Sequence, residues 1–233
     1  MNAGSRVGEP AGRYELSLLY RPFGQYGYLC IMPRTKISRE QLLEVAWSLI
    51  HRNGYRATSI AAVSAEAGIG KAGVLHHFGS KEAMMQAVIV WARRKFNEYV
   101  LSAFAKTGVN EAGEPWTIER RLSEALRRQF RLARRENAGC FFANSILEVG
   151  VETGFRESLN GFVEDWLAAL GAMLAERFPA AEAHERAYRY FTDYQGSVML
   201  FKVSGDIEHL KRFKERAIAM LAQPIVLTPI LAS

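Results

Sequence analysis

The chain has 233 residues, 49% of them hydrophobic and 23% charged, which is enough apolar material to bury a core and excludes disorder by composition. Its two cysteines, Cys30 and Cys140, lie far apart without metal-ligand spacing, which excludes a disulfide scaffold or zinc site as the organising principle and fits a reducing cytosol. The net charge of +6 is uneven: residues 1–31 carry three basic and two acidic side chains, residues 32–100 ten and five, and residues 101–233 seventeen of each. A basic module on a neutral body is the electrostatic footprint of a polyanion binder.

Residues 1–31 show little helical period, and a disordered extension is expected there, ahead of Met32-Pro33-Arg34-Thr35, which reads as a natural chain start. A DNA-contacting arm is the alternative, but three basic residues give it little to hold phosphate with. The apolar run Leu16 to Tyr20 is short, ends at Arg21-Pro22 and lacks a cleavage site, so it is not read as a signal peptide. No run approaches the roughly 20 apolar residues of a membrane helix, and a cytoplasmic protein without membrane contact is expected.

Regular structure begins at Ser38-Arg39-Glu40-Gln41, a capping box. Leu42, Val45, Ala46, Leu49 and Ile50 then mark one helix face, and Asn53-Gly54 supplies its stop. Thr58 is expected to cap a short second helix through Ala67, with Gly68 breaking it. A third helix runs from about Lys71 to Phe78, and Ser80 caps a fourth striped by Met85, Val88, Ile89, Ala92, Phe96 and Tyr99. A loop over 107–116 precedes helices at about 117–135, 138–150, 156–178 and 185–203, with Pro179 stopping the third of these and Gly205-Asp206 preceding a last helix. No period-2 strand pattern or internal repeat is visible.

The informative stretch is Ser59 to Phe78, SIAAVSAEAGIGKAGVLHHF. A helix-turn-helix needs a small residue where its helices cross, a glycine in the turn, and apolar residues on both inner faces. Ser64, Gly68, and the set Val63, Ala67, Ile69, Val74 and Phe78 meet these needs. Gly68-Ile69-Gly70-Lys71 is not a phosphate loop, because the Walker pattern needs Gly at 65 and Ser or Thr at 72, and both are Ala.

With Gly54-Tyr55, Ala67-Gly68-Ile69, Lys71-Ala72-Gly73, His76-His77-Phe78 and Ser80-Lys81-Glu82, residues 38–90 resemble the N-terminal domain of the TetR family. Farther on, only Gln195-Gly196-Ser197-Val198-Met199-Leu200 resembles a loosely shared segment of that family's dimerisation helices. The resemblance implies that the third helix enters the major groove. It implies that Thr58 and Ser59 set hydroxyls and helix N–H groups against phosphate, and that Lys71 and Lys81 contact the backbone. Ala72 and Gly73 would allow close approach to bases, and His76 and His77 would touch phosphate or base. Two departures stand out. Leu75 occupies a position where the family often has a phosphate-contacting Tyr, and Gly70 replaces a common Ser cap.

One helix-turn-helix makes few base contacts, so a homodimer on a palindromic double-stranded operator is expected, paired through the helices at 156–178 and 185–203. The aromatic supply of the second half, including Phe104, Phe141, Phe142, Trp166 and Tyr194, suggests a pocket for a small hydrophobic inducer. Cys140 reads as packing. Glu148, Glu152 and Glu157 read as a solvated face rather than catalytic carboxylates; no cofactor, metal or enzymatic activity is expected.

The expected fold is therefore all-α: a three-helix helix-turn-helix domain over 32–84, a helical ligand-binding and dimerisation domain over 85–222, and a tail over 223–233. The expected function is a ligand-released dimeric repressor. The alternatives are a helical DNA-binding protein with a chromosome-organising or division-control role, or an interaction-only helical protein that has lost DNA binding.

Overall fold

The computed structural model describes residues 37–134, 139–149 and 153–222. The expected extension over 1–31, the tail over 223–233, Cys30 and Glu152 lie outside the described residues. Among the described residues there are nine α-helices and no strand.

Helix α1 (Arg39–Asn53) starts on the expected capping box: Ser38 Oγ accepts from the Gln41 N–H at 3.2 Å, and Gln41 Oε1 accepts from the Ser38 N–H at 2.8 Å. It buries Leu42, Leu43, Ala46, Leu49 and Ile50 and ends at Gly54, whose φ of +87° suits glycine. Helix α2 (Ile60–Glu66) corrects the expected cap by one residue. Ser59, not Thr58, accepts from the Ala62 N–H at 3.1 Å. Thr58 is buried, and its hydroxyl donates instead to the Gly54 carbonyl at 2.7 Å.

Helix α3 (Lys71–Phe78) follows a turn in which Gly68 holds φ +66°. Helix α4 (Lys81–Tyr99) starts on Ser80, whose hydroxyl accepts from the Ala83 N–H at 3.0 Å. It runs without a break from the three-helix head into the body, so the expected boundary after residue 84 falls inside a continuous helix. From Ile37 onward the described residues pack as one unit.

The body holds α5 (Ile118–Ala133), α6 (Phe141–Val149), α7 (Thr153–Leu174), α8 (Ala180–Ser204) and α9 (Glu208–Ala219). Pro179 does not stop α7, which ends at Leu174; it stands at the entry of α8, where its missing N–H costs no helical hydrogen bond. Helix α4 packs against both α1 and α7, α7 against α8, and α8 against α9. The core is one continuous cluster from Leu42 in α1 to Phe213 and Ala217 in α9.

Candidate nucleic-acid interface

Helices α2 and α3 are joined around Ser64. Its side chain is buried, and its hydroxyl donates to the Ile69 carbonyl at 2.8 Å, tying the turn to the helix before it. Val63, Val74 and Phe78 are buried beneath the pair, with Ala67 and Ile69 half-buried against them. Helix α3 is thereby fixed from below, as a helix must be if its outer face is to register with base edges in a major groove.

On α3, Lys71, Ala72, Leu75 and His76 are exposed, and their spacing puts them on one face. Leu75 is 42% exposed. Lys71 makes no ion pair among the described residues. Gly73 and His77 are half-buried. A Cβ on Gly73 would lie 3.1 Å from Ile69 Cδ1, so this glycine serves the packing of the turn as well as any approach to DNA. Ser59 is exposed at the N-terminus of α2. Thr58 is not: at 1% exposure, with its hydroxyl spent on Gly54, it does not fit the expected phosphate contact, and it supports the turn from inside.

Lys81 stands half-buried at the start of α4. Its ammonium donates to the Arg56 carbonyl at 3.1 Å and lies 4.5 Å from the centre of the Tyr55 ring. The same turn is held from the other side by Glu148 of α6. Its carboxylate accepts from the Tyr55 N–H at 2.7 Å and the Arg56 N–H at 2.6 Å. The expectation that Glu148 belongs to a solvated face is therefore wrong. Its partners are main-chain groups more than ninety residues earlier, and no periodicity within α6 signals them.

In the body, the expected pocket residues Phe104, Phe141, Phe142, Trp166 and Tyr194 are all buried; Phe141, Phe142, Trp166 and Tyr194 belong to one linked array of rings, and Phe104 stands apart from it. Phe142 stacks on Phe162 at 3.6 Å, and Trp166 lies 5.5 Å from Phe162 and 5.1 Å from Tyr194. Phe141 meets Phe142 edge-on at 5.3 Å and also reaches Trp47 and His51 of α1. Phe104 lies near the start of α5, its carbonyl accepting from Arg121. Tyr190, one of the second half's aromatic residues, adjoins the array, and with it Gln129, which sequence reasoning missed. The Tyr190 hydroxyl donates to Gln129 Oε1 at 2.7 Å, and the Tyr190 ring lies 6.4 Å from Trp166. Gln129 Nε2 and Trp166 Nε1 are buried donors without a partner among the described residues. Burial pushes the Tyr190 and Tyr194 hydroxyls and the Cys140 thiol up, so all three stay protonated near neutrality.

Among the described residues no helix is long and apolar enough to cross a membrane, and no three His, Cys, Asp or Glu side chains gather as metal ligands.

Residues 42–88 match the family model described as bacterial regulatory proteins, tetR family. A helix-turn-helix transcriptional regulator encoded in the lacX 3′ region of Lactococcus lactis subsp. lactis is 26% identical over 188 residues, covering 75% of this chain and 88% of the relative. Among solved structures, a TetR transcriptional regulator from Legionella pneumophila superposes with a TM-score of 0.69 at 22% identity, covering 81% of this chain and 97% of its own. The reduced form of Escherichia coli NemR gives 0.67 at 19% identity, covering 81% and 99%. Bacillus subtilis FadR in complex with stearoyl-CoA gives 0.61 at 16% identity, covering 81% and 100%.

Proposed function

We propose that this chain, whose residues 42–88 are a tetR-family DNA-binding domain, is a DNA-binding transcriptional regulator: a homodimeric repressor that sits on a two-fold operator and leaves it when a small ligand enters the body. The observation that carries the reading is the outer face of α3, where Lys71, Ala72, Leu75 and His76 project from a helix anchored by Val74 and Phe78. In the major groove, Ala72, Gly73 and Leu75 offer close approach and apolar contact to thymine methyls, and His76 and His77 offer donors to base or phosphate. Ser59 and the first N–H groups of α2 take a phosphate, helped by the positive end of the helix dipole. Lys71 and the unused donors of Lys81 add charge to the backbone contact.

The dimer contact is assigned to α7 and α8. Helix α8 presents Tyr188, Met199, Leu200 and Val203 to solvent, Val203 at 84% exposure, and such an apolar stripe invites a second copy. The ligand site is assigned to the array around Phe142, Trp166 and Tyr194. The array is buried, aromatic and uncharged, and the N–H groups of Gln129 and Trp166, unpartnered among the described residues, favour a neutral, mainly apolar ligand bearing a carbonyl or hydroxyl oxygen. FadR, of the same fold, is seen with stearoyl-CoA, which supports ligand capture by a body of this architecture. This reading describes a cytoplasmic regulator rather than an enzyme, working without metal or cofactor.

The test is fluorescence anisotropy with the promoter DNA upstream of the chain's own gene against a scrambled duplex, across a salt series. Selective binding that weakens linearly in log–log salt is expected. Equal affinity for both duplexes, or no binding at low salt, overturns the reading.

A further inference from the structure

The turn between α1 and α2 is the only covalent link from α1 to the reading pair, and its peptide groups are gripped from two sides. Lys81 of α4 takes the Arg56 carbonyl. Glu148 of α6 takes the two successive N–H groups of Tyr55 and Arg56 at 2.7 and 2.6 Å. Both bonds to Glu148 are charge-assisted and within the short range of strong hydrogen bonds. Gly54 makes the approach possible: a Cβ there would stand 2.7 Å from Glu148 Oε2. The rest of α6 is laid along α1 as well. The Gly139 carbonyl lies 3.3 Å from His51 Nε2, and the Phe141 ring meets Trp47 and His51 at 6.2 and 5.9 Å. Beside the turn, Tyr55 meets Phe155 of α7 at 5.7 Å.

We infer that Glu148 is a positioning residue of the DNA reader: from the body, its carboxylate fixes the Tyr55–Arg56 turn and with it the angle at which α2 and α3 leave the molecule. The inference rests on the proposed DNA-binding function and adds to it a specific contact through which α6 and the reader are held in register. A body that shifts α6 must either carry the reader with it or give up both hydrogen bonds. Uncompensated loss of both leaves an oriented pair of main-chain donors without these acceptors, so the contact favours the present angle over its neighbours. Glu148 is accordingly expected to act on selective DNA binding, which needs two readers at a defined angle, and not on non-selective attraction, which needs only charge.

The experiment compares full-length wild type, Glu148→Ala, Glu148→Gln and, as a control for removing one negative charge, Glu157→Ala, which alters an exposed residue of α7. Amide hydrogen exchange at Tyr55 and Arg56 is read first, without DNA. Both amides are expected to be protected in wild type and Glu157→Ala, and to exchange at least about tenfold faster in Glu148→Ala, with Glu148→Gln between. Anisotropy then gives the ratio of affinities for promoter and scrambled duplex. That ratio is expected to fall about tenfold in Glu148→Ala while affinity for the scrambled duplex matches Glu157→Ala. General destabilisation would lower both affinities together, so the ratio separates positioning from folding. Unprotected amides in wild type overturn the inference, as does an unchanged or raised ratio in Glu148→Ala or, should that variant fail to fold, in Glu148→Gln. If wild type itself does not distinguish the duplexes, the regulator reading fails, while the exchange data still decide whether the contact exists.

Discussion

At Thr58 and Ser59 two adjacent hydroxyls do opposite work. Ser59 faces solvent and caps α2; Thr58 faces inward and satisfies the Gly54 carbonyl. Thr58→Val keeps the shape and leaves that carbonyl without its donor, so it is expected to lower stability by about 1–2 kcal/mol in urea denaturation. Ser59→Ala removes the cap at a cost of about 1 kcal/mol and also removes the hydroxyl proposed to meet a phosphate. It should therefore weaken DNA binding where Thr58→Val does not. Lys71 is exposed and unpaired among the described residues, so Lys71→Ala should flatten the log–log salt dependence of binding by about one unit without moving the melting temperature. These residues also mark what the sequence discloses. The capping box at Ser38 is legible because donor and acceptor both lie within one turn. The choice between Thr58 and Ser59 is not, because either offers an oxygen three residues before a helical N–H, and what decides is the Gly54 carbonyl that the fold brings beneath Thr58. Glu148 is illegible for the same reason at longer range: its partners are backbone groups, which carry no residue identity to search for.

Among the elements, the seam between α4 and α7 holds the reader's supporting helix to the body. Arg93 makes a two-point contact with Asp165 at 2.6 and 2.7 Å, Asn97 donates to the same carboxylate at 2.5 Å, and Gln86 donates to Ser158 at 2.6 Å. The guanidinium crosses α7 over Gly161, where an added Cβ would overlap it. Gly161→Ala is expected to displace Arg93 and lower the melting temperature, although alanine is the better helix former at an ordinary position. Arg93 and Asp165 are about a third exposed (34% and 27%), so solvent screening limits Asp165→Asn to about 1–2 kcal/mol. Its pH dependence has a defined sign. The hydrogen bond from Arg93 holds the Asp165 carboxyl below its ordinary value, with Asn97 adding to the effect. The stabilisation is complete above the unfolded pKa and is lost as pH falls through the lower folded one. The deficit of Asp165→Asn against wild type, followed by urea denaturation, should thus be largest near neutrality and close in acid. The helices of this seam are legible in the sequence as apolar stripes. Their pairing is not, since Arg93 and Asp165 lie 72 residues apart and each looks like ordinary surface charge.

For the whole molecule, the question is how a short reading helix would acquire specificity, and the proposed dimer contact on the outer face of α8 is an answer that can be tested. Tyr188, Met199, Leu200 and Val203 are more exposed than a monomer's interest in burying apolar surface would leave them, and Val203 at 84% touches little of its own chain. A two-fold partner would cover this stripe and fix two α3 helices at one spacing, which converts the second half-site contact into an intramolecular event. Val203→Glu places a carboxylate in that proposed contact on each copy, against the apolar stripe of the other. Sedimentation is expected to show a dimer for wild type and a monomer for Val203→Glu at the same concentration, with circular dichroism unchanged because Val203 lies outside the core. Operator affinity should fall about a hundredfold, the order of gain that linking two sites gives. The log–log salt slope should drop to about half, because one reader neutralises half the phosphates. The slope is the sharper criterion. A variant that stays dimeric yet loses affinity would keep its slope, and a stripe that serves some other partner would leave both quantities where they are in wild type.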